Sequence, residues 1–253
     1  AILNPIGAPI PELTPEKIMP GTALQEFPAE NGRPRVWHRY ADVEKDENGT
    51  PVKITFKNTE KFNFAFDVID AIAEEVPNKL AMLHLDREKN EHRFTFNDMK
   101  RASIRCANYF KALGIKKGDR VMLVLKRHYQ FWFSILALEK IGAIAIPAVA
   151  QLQEHDFEYR FNAAGVKAII CTADGDTAHQ ADLAAKDAPS LKLKLIVNGE
   201  REGWHNFDEE YQMYSTHYNR SEDSACGDDL MLMYFTSGTT GYPKIAAHSF
   251  KIA

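Results

Sequence analysis

Tyr234-Phe235-Thr236-Ser237-Gly238-Thr239-Thr240-Gly241-Tyr242-Pro243-Lys244 decides the reading of this chain, because it sets four aliphatic hydroxyls, two glycines and a lysine between two short apolar runs. Leu230 to Phe235 has the composition of a buried strand and Ile245 to Ala247 that of a second, so the stretch is expected to be a loop between strands. Gly238 and Gly241 let the backbone turn and approach a ligand closely. The amides and hydroxyls of Thr236, Ser237, Thr239 and Thr240 can donate to anionic oxygens, and Lys244 adds a mobile positive charge. Pro243 removes one amide and biases Tyr242 toward an extended backbone, which argues against a helix starting here. A phosphate loop of the Gly-Lys-Ser/Thr type is therefore excluded: Lys244 trails Gly241 by three residues, behind a proline, and Ile245 follows it.

With Ser237, Gly238, Thr239, Thr240, Gly241, Pro243 and Lys244 in register, the loop resembles the signature loop of the AMP-forming adenylating enzymes, which include acyl-CoA synthetases, carrier-protein adenylation domains and luciferases. Three stretches outside the loop resemble the medium-chain acyl-CoA synthetase branch: Phe62 to Asp67, Asp156 to Arg160, and Arg201 to Asn206. The resemblance implies ATP, Mg²⁺ and coenzyme A as cofactors and a carboxylic acid, of short or medium chain, as substrate. It places the ATP phosphates on Thr236, Ser237, Gly238, Thr239, Thr240, Gly241, Tyr242, Pro243 and Lys244. Gln151, in Pro147-Ala148-Val149-Ala150-Gln151-Leu152, matches a glutamine associated with the CoA side of the site, and is otherwise a surface side chain. The family's adenine-holding segment, magnesium ligand, ribose aspartate and small C-terminal domain find no counterpart, so no catalytic residue and no metal ligand is assigned. A carrier-protein thiol as acceptor, and a non-catalytic nucleotide-binding or interaction module, are the alternative readings.

The composition bounds the rest. Of 253 residues, 45% are hydrophobic and 26% charged, the balance of a soluble globular protein with a sizeable core. A net charge of -4 supplies no broad basic field for nucleic acid, and no run is long enough to cross a bilayer. Cys106, Cys171 and Cys226 are few and far apart, and the first two lie inside apolar periodic segments, so buried free thiols are expected. Together with an N-terminus that lacks the order of a signal peptide, this leads to the expectation of a cytoplasmic protein.

Residues 1–60 hold eight prolines and many Gly and Asn breakers, and the expectation is an extended arm with one short strand near Lys53 to Phe56. Residues 61–253 are expected to form the N-terminal portion of an AMP-binding domain that ends just after the loop, without the C-terminal domain. An amphipathic helix runs from the Phe62 region to Pro77. Leu80 to Leu85 and Arg93 to Phe96 form a hairpin, and Thr95 caps a helix with Asp98 completing the box and Gly114 stopping it. From Arg120 onward, apolar strand runs alternate with helices ending at Gly142 and Gly165. Strands with no polar face need cover on both sides, so the fold class is α/β, a doubly wound and mostly parallel sheet. In such sheets ligands lie beyond the carboxyl ends of strands, which is where the loop sits. Asn198 to Asp229 is expected to be a polar surface connection with a short helix near Phe207 to Tyr214.

Three further features leave two readings open. Phe131, Trp132 and Phe133 either line an acyl or pantetheine channel or pack in the core. Lys126, Arg127 and His128 either meet a phosphate or begin a solvated helix. His248 is near the substrate or structural. Arg201 to Asn206 has no evident chemical role.

Overall fold

Four strands read from the sequence as apolar runs form the middle of the fold: β5 (Arg120–Val124), β6 (Ile144–Pro147) and β7 (Ala168–Thr172) are buried along nearly their whole length, and β8 (Leu193–Val197), interrupted by Lys194, is buried over its last three residues. The computed structural model describes residues 36–236 and 241–252. Three further strands complete a seven-stranded sheet: β9 (His205–Asn206), β10 (Leu230–Thr236) and β11 (Lys244–Ser249). Its order is β11-β10-β6-β5-β7-β8-β9, parallel throughout except for the antiparallel β10–β11 hairpin at one edge.

Side-chain alternation divides the core. Val121 and Leu123 of β5 enter one apolar cluster, whereas Met122 and Val124 enter another on the opposite face. The first face is covered by α2 (Phe96–Ala112) and α3 (Gln130–Ile141), the second by α4 (Glu154–Ala164) and α5 (Thr177–Ala185). The chain thus leaves β5 toward one face and β6 toward the other, opening a crevice between their carboxyl ends. β10 lies on the other side of β6, so its carboxyl end borders the same region.

Local signals hold where they close within a few residues. Thr95 accepts from the Asp98 amide at 3.2 Å and its own amide donates to the Asp98 carboxylate at 2.9 Å, completing the box at the start of α2. Gly142 and Gly165 end α3 and α4 in the left-handed conformation, at φ of 73° and 58°. The charged-turn hairpin is β3 (Leu80–Leu85) paired with β4 (Glu91–Thr95). Cys106 and Cys171 are buried free thiols, and Cys226 is half-buried.

Three expectations need correction. The arm is not extended throughout: β1 (Ala41–Lys45) and β2 (Pro51–Phe56) pair antiparallel around a turn in which the Asp46 carboxylate accepts from Asn48 and Thr50 amides at 2.9 and 2.8 Å. The density of breakers hid an apolar alternation of Val52, Ile54 and Phe56 opposite Ala41 and Val43. Residues 1–35 lie outside the described residues. The helix before Pro77 begins as a π-helical turn, Ala65–Asp70, and continues as α1 (Ala71–Glu75). The 198–229 connection is more than surface: it contributes β9 and α6 (Phe207–Glu210), buries Phe207 completely, and lays Tyr211, Tyr214 and Tyr218 on the first core cluster.

Candidate functional site

Thr236 and Lys244 are the last paired residues of the β10–β11 ladder, and seven residues separate them. The Thr236 hydroxyl donates to the Lys244 carbonyl at 3.3 Å, closing the base of the loop. Ser237, Gly238, Thr239 and Thr240 lie outside the described residues. Gly241 sits at φ +127°, a conformation that side-chain-bearing residues rarely adopt, with no described atom within 4 Å of where a Cβ would stand. Lys244 is exposed and, among the described residues, has no carboxylate partner.

Beyond Gly241 the chain is held by a helix. Tyr159 of α4 stacks its ring on Tyr242, with centroids 4.5 Å apart and planes inclined by 18°, and its hydroxyl donates to the Pro243 carbonyl at 2.8 Å. Phe235, on the other arm, meets the same Tyr159 ring edge-on at 6.1 Å. Arg160 lies 5.3 Å over Phe235 and is braced by the Asp156 carboxylate at 3.2 Å. Tyr242 is nonetheless 74% exposed, so its contact with Tyr159 is one ring face on a wet surface.

Gln151 follows the carboxyl end of β6 and is exposed. Its segment is held by its neighbours: Leu152 is buried, and Thr177 donates to the Ala150 carbonyl at 2.9 Å. On the adjacent strand end the basic triplet is largely tied down. Lys126 donates to the Asp174 carbonyl at 3.0 Å, His84 Nε2 lies 2.9 Å from the Arg127 carbonyl, and His128 Nε2 lies 2.8 Å from the Thr172 hydroxyl. Burial holds the His128 imidazole below its ordinary range, against the pull of Asp174. Of the aromatic run, Phe133 is 2% exposed and belongs to the core, whereas Trp132 is 51% exposed. His248 packs against Tyr234, ring centroids 5.8 Å apart.

Two stretches that carried resemblance without chemistry prove to be clasps. Arg201 and Trp204 converge on the Asp182 carboxylate at 2.7 and 3.0 Å; burial works against that carboxylate, but hydrogen bonds from Lys194 and Arg201 hold it below its ordinary range. In Phe62 to Asp67 it is Asn63 and Ala65 that are fully buried, not the phenylalanines. The Asn63 amide donates to the carbonyls of Glu139 and Ala225 at 3.0 and 2.9 Å, joining the end of α3 to the segment before β10. Sequence reasoning missed Asn63 and Tyr159 as structural anchors, since their partners lie far along the chain. Cys106 and Cys171 lie in surroundings that push their thiols up by burial, Cys171 to about 12, which suits core packing and not nucleophilic chemistry.

The fold is thus a doubly wound α/β sheet in which Thr236 and Lys244, the two ends of the Gly/Thr-rich stretch, lie at the carboxyl end of β10, the side on which such sheets bind ligands. The chain belongs to the AMP-binding enzyme family, which its residues 69–252 match. It is 39% identical over 201 residues to the mitochondrial acyl-coenzyme A synthetase ACSM5 of Rattus norvegicus, covering 75% of this chain and 33% of that protein. Identity to the Homo sapiens ACSM5 is 38% over 197 residues, with the same shares of 75% and 33%. The chain therefore spans about one third of the length of the curated relatives it matches. A crystal structure of an acyl-CoA synthetase from Brucella canis shares the fold with a TM-score of 0.66 and 23% identity, over 77% of this chain and 34% of that one. These relatives are named as mitochondrial, which overturns the cytoplasmic expectation. Sparse, buried cysteines fit any reducing compartment and could not tell one from another.

Proposed function

We propose that the intact protein is an AMP-forming acyl-CoA synthetase of the medium-chain branch, joining a carboxylic acid to coenzyme A at the expense of ATP. One observation carries the reading: the loop from Thr236 to Lys244 leaves β10 at the carboxyl edge of the sheet, in a chain 39% identical to an acyl-coenzyme A synthetase. Residues 61–253 are, on this reading, the N-terminal portion of the AMP-binding domain.

A carboxylate oxygen attacks the α-phosphorus, the bond to the bridging oxygen breaks, and pyrophosphate departs with the electron pair. Negative charge grows on that leaving group, so donors at Thr236, Ser237, Gly238, Thr239 and Thr240, the flexible turn at Gly241, the Tyr242–Pro243 arm and the Lys244 ammonium are proposed to hold the phosphates. The thiolate of CoA then attacks the acyl carbonyl and AMP leaves, with Gln151 proposed on the CoA side. Mg²⁺ bound with ATP supplies further charge neutralisation; among the described residues no group of three or more His, Cys, Asp or Glu is placed to hold it. The mitochondrion is the proposed setting, and a membrane fractionation that finds the protein elsewhere would refute it.

Acid-dependent exchange of labelled pyrophosphate into ATP by the intact protein is the test. Exchange with short- or medium-chain acids, followed by acyl-CoA formation with free CoA, is expected. No exchange with any acid from two to about twelve carbons would overturn the proposal. Thioester formed only on a phosphopantetheinylated carrier would shift it to the carrier-protein alternative.

A further inference from the structure

We propose that Tyr159 is a positioning residue for ATP, acting through the trailing arm of the phosphate loop. The inference rests on the ATP reading above and adds a residue that lies outside the loop motif, 84 positions from the carbonyl it holds.

The arm Tyr242 to Lys244 has little else to fix it. Pro243 has no amide with which to join a ladder, and Tyr242 precedes the first paired residue of β11, so neither is held by strand hydrogen bonds. Gly241, just upstream, has the freest backbone in the arm. At its other end the arm is secured at Lys244 by pairing with Thr236. Tyr159 supplies the missing restraint at the middle, through two distinct contacts: a hydroxyl bond to the Pro243 carbonyl at 2.8 Å and a stacked ring on Tyr242 at 4.5 Å. Tyr159 is itself placed by α4, whose Phe157 and Phe161 are completely buried in the second core cluster. The restraint therefore refers the arm to the rigid sheet–helix layer and not to the rest of the loop.

A group that pre-sets a binding arm raises the fraction of molecules competent to bind, and the apparent dissociation constant falls in proportion to that fraction. The effect should fall on ATP and spare the acid and CoA, because the hydroxyl bond and the stacked ring both go to the arm, and the remaining ring contact, to Phe235 edge-on at 6.1 Å, is to a strand already held in the sheet. Tyr159→Phe removes the hydroxyl bond and keeps the stack; Tyr159→Leu removes both. In the intact protein, the expected result is a KM for ATP raised about five-fold in Tyr159→Phe and about thirty-fold in Tyr159→Leu, with KM for the acid and the melting temperature nearly unchanged. Tyr242→Leu should raise KM for ATP on its own and add nothing further in the Tyr159→Leu background.

Amide hydrogen exchange in the nucleotide-free protein gives a readout independent of activity. The Lys244 amide, at the end of the β10–β11 ladder, should exchange at least about ten-fold faster in Tyr159→Leu than in the wild type. Unchanged exchange and an unchanged KM for ATP would overturn the proposal. So would an equal loss toward all three substrates with a fall in melting temperature, which would mark Tyr159 as scaffold only. If the wild type supports no pyrophosphate exchange at all, the synthetase reading fails, while the exchange rates still decide whether Tyr159 holds the arm.

Discussion

Replacing Glu139 by Gln should change how the chain's stability depends on pH. Glu139 lies near the end of α3, is 5% exposed, and has one carboxylate oxygen with no hydrogen-bond partner. Burial pushes its carboxyl from the ordinary 4.5 up to about 8, while the Ala65 amide and the Lys140 ammonium pull the other way. The raised value means that the folded chain holds a proton the unfolded chain has lost between those two values. Stability from this group is fully present below pH 4.5 and declines as pH rises toward about 8. Each pH unit inside the window costs about 1.4 kcal/mol, so about 3–4 kcal/mol is lost between roughly pH 5 and pH 8. Gln keeps the shape and removes the titration. Its amide, like the protonated carboxyl, leaves one polar atom unsatisfied, so the two proteins should be nearly equal in stability near pH 5. Glu139→Gln should then become the more stable as pH rises. Urea unfolding of both proteins at several pH values, followed by circular dichroism, measures the difference directly. The neighbouring buried pair Lys140–Asp70, in which burial pulls the ammonium down and the carboxyl up, is common to both and cancels to first order. Parallel stability curves for the two proteins across this range would refute the argument.

Asn63→Ala should cost about 1–3 kcal/mol, because it takes the Asn63 partner from the buried Ala225 carbonyl and from the Ala65 amide that donates to its side chain at 3.1 Å, while the Glu139 carbonyl keeps the Gly142 amide at 3.3 Å; a shift below about 0.5 kcal/mol in urea unfolding would contradict this. Gly227→Ala should destabilise by about 2–4 kcal/mol, since a Cβ there would stand 2.2 Å from the Glu60 carbonyl oxygen at φ +56°. Gly241→Ala, in contrast, meets no described atom, so thermal unfolding should be unchanged within error while the loop loses the conformations that only glycine reaches readily.

Much of the fold was legible because its signals are local. The apolar runs of β5 to β8 announce strands covered on both faces, the Thr95–Asp98 box and the glycines after α2, α3 and α4 mark helix ends within one turn, and a proline before Lys244 rules out a helix at the loop. The Thr236 to Lys244 stretch stands out in the sequence for the same reason, since hydroxyls, glycines and lysine are side by side within it. What only the tertiary structure decided concerns the partners of polar and aromatic side chains. Tyr159 finds Pro243 across 84 residues, Asn63 finds Ala225 across 162, and Arg201 and Trp204 share Asp182. The basic triplet left both a phosphate contact and a solvated helix start open, and in the fold Asp174 and Thr172 occupy two of its members. Helix caps and strand runs close their hydrogen bonds and bury their faces within a few residues, so sequence order encodes them. A side chain's distant partner depends on which elements the sheet order brings together, and no local pattern carries that information.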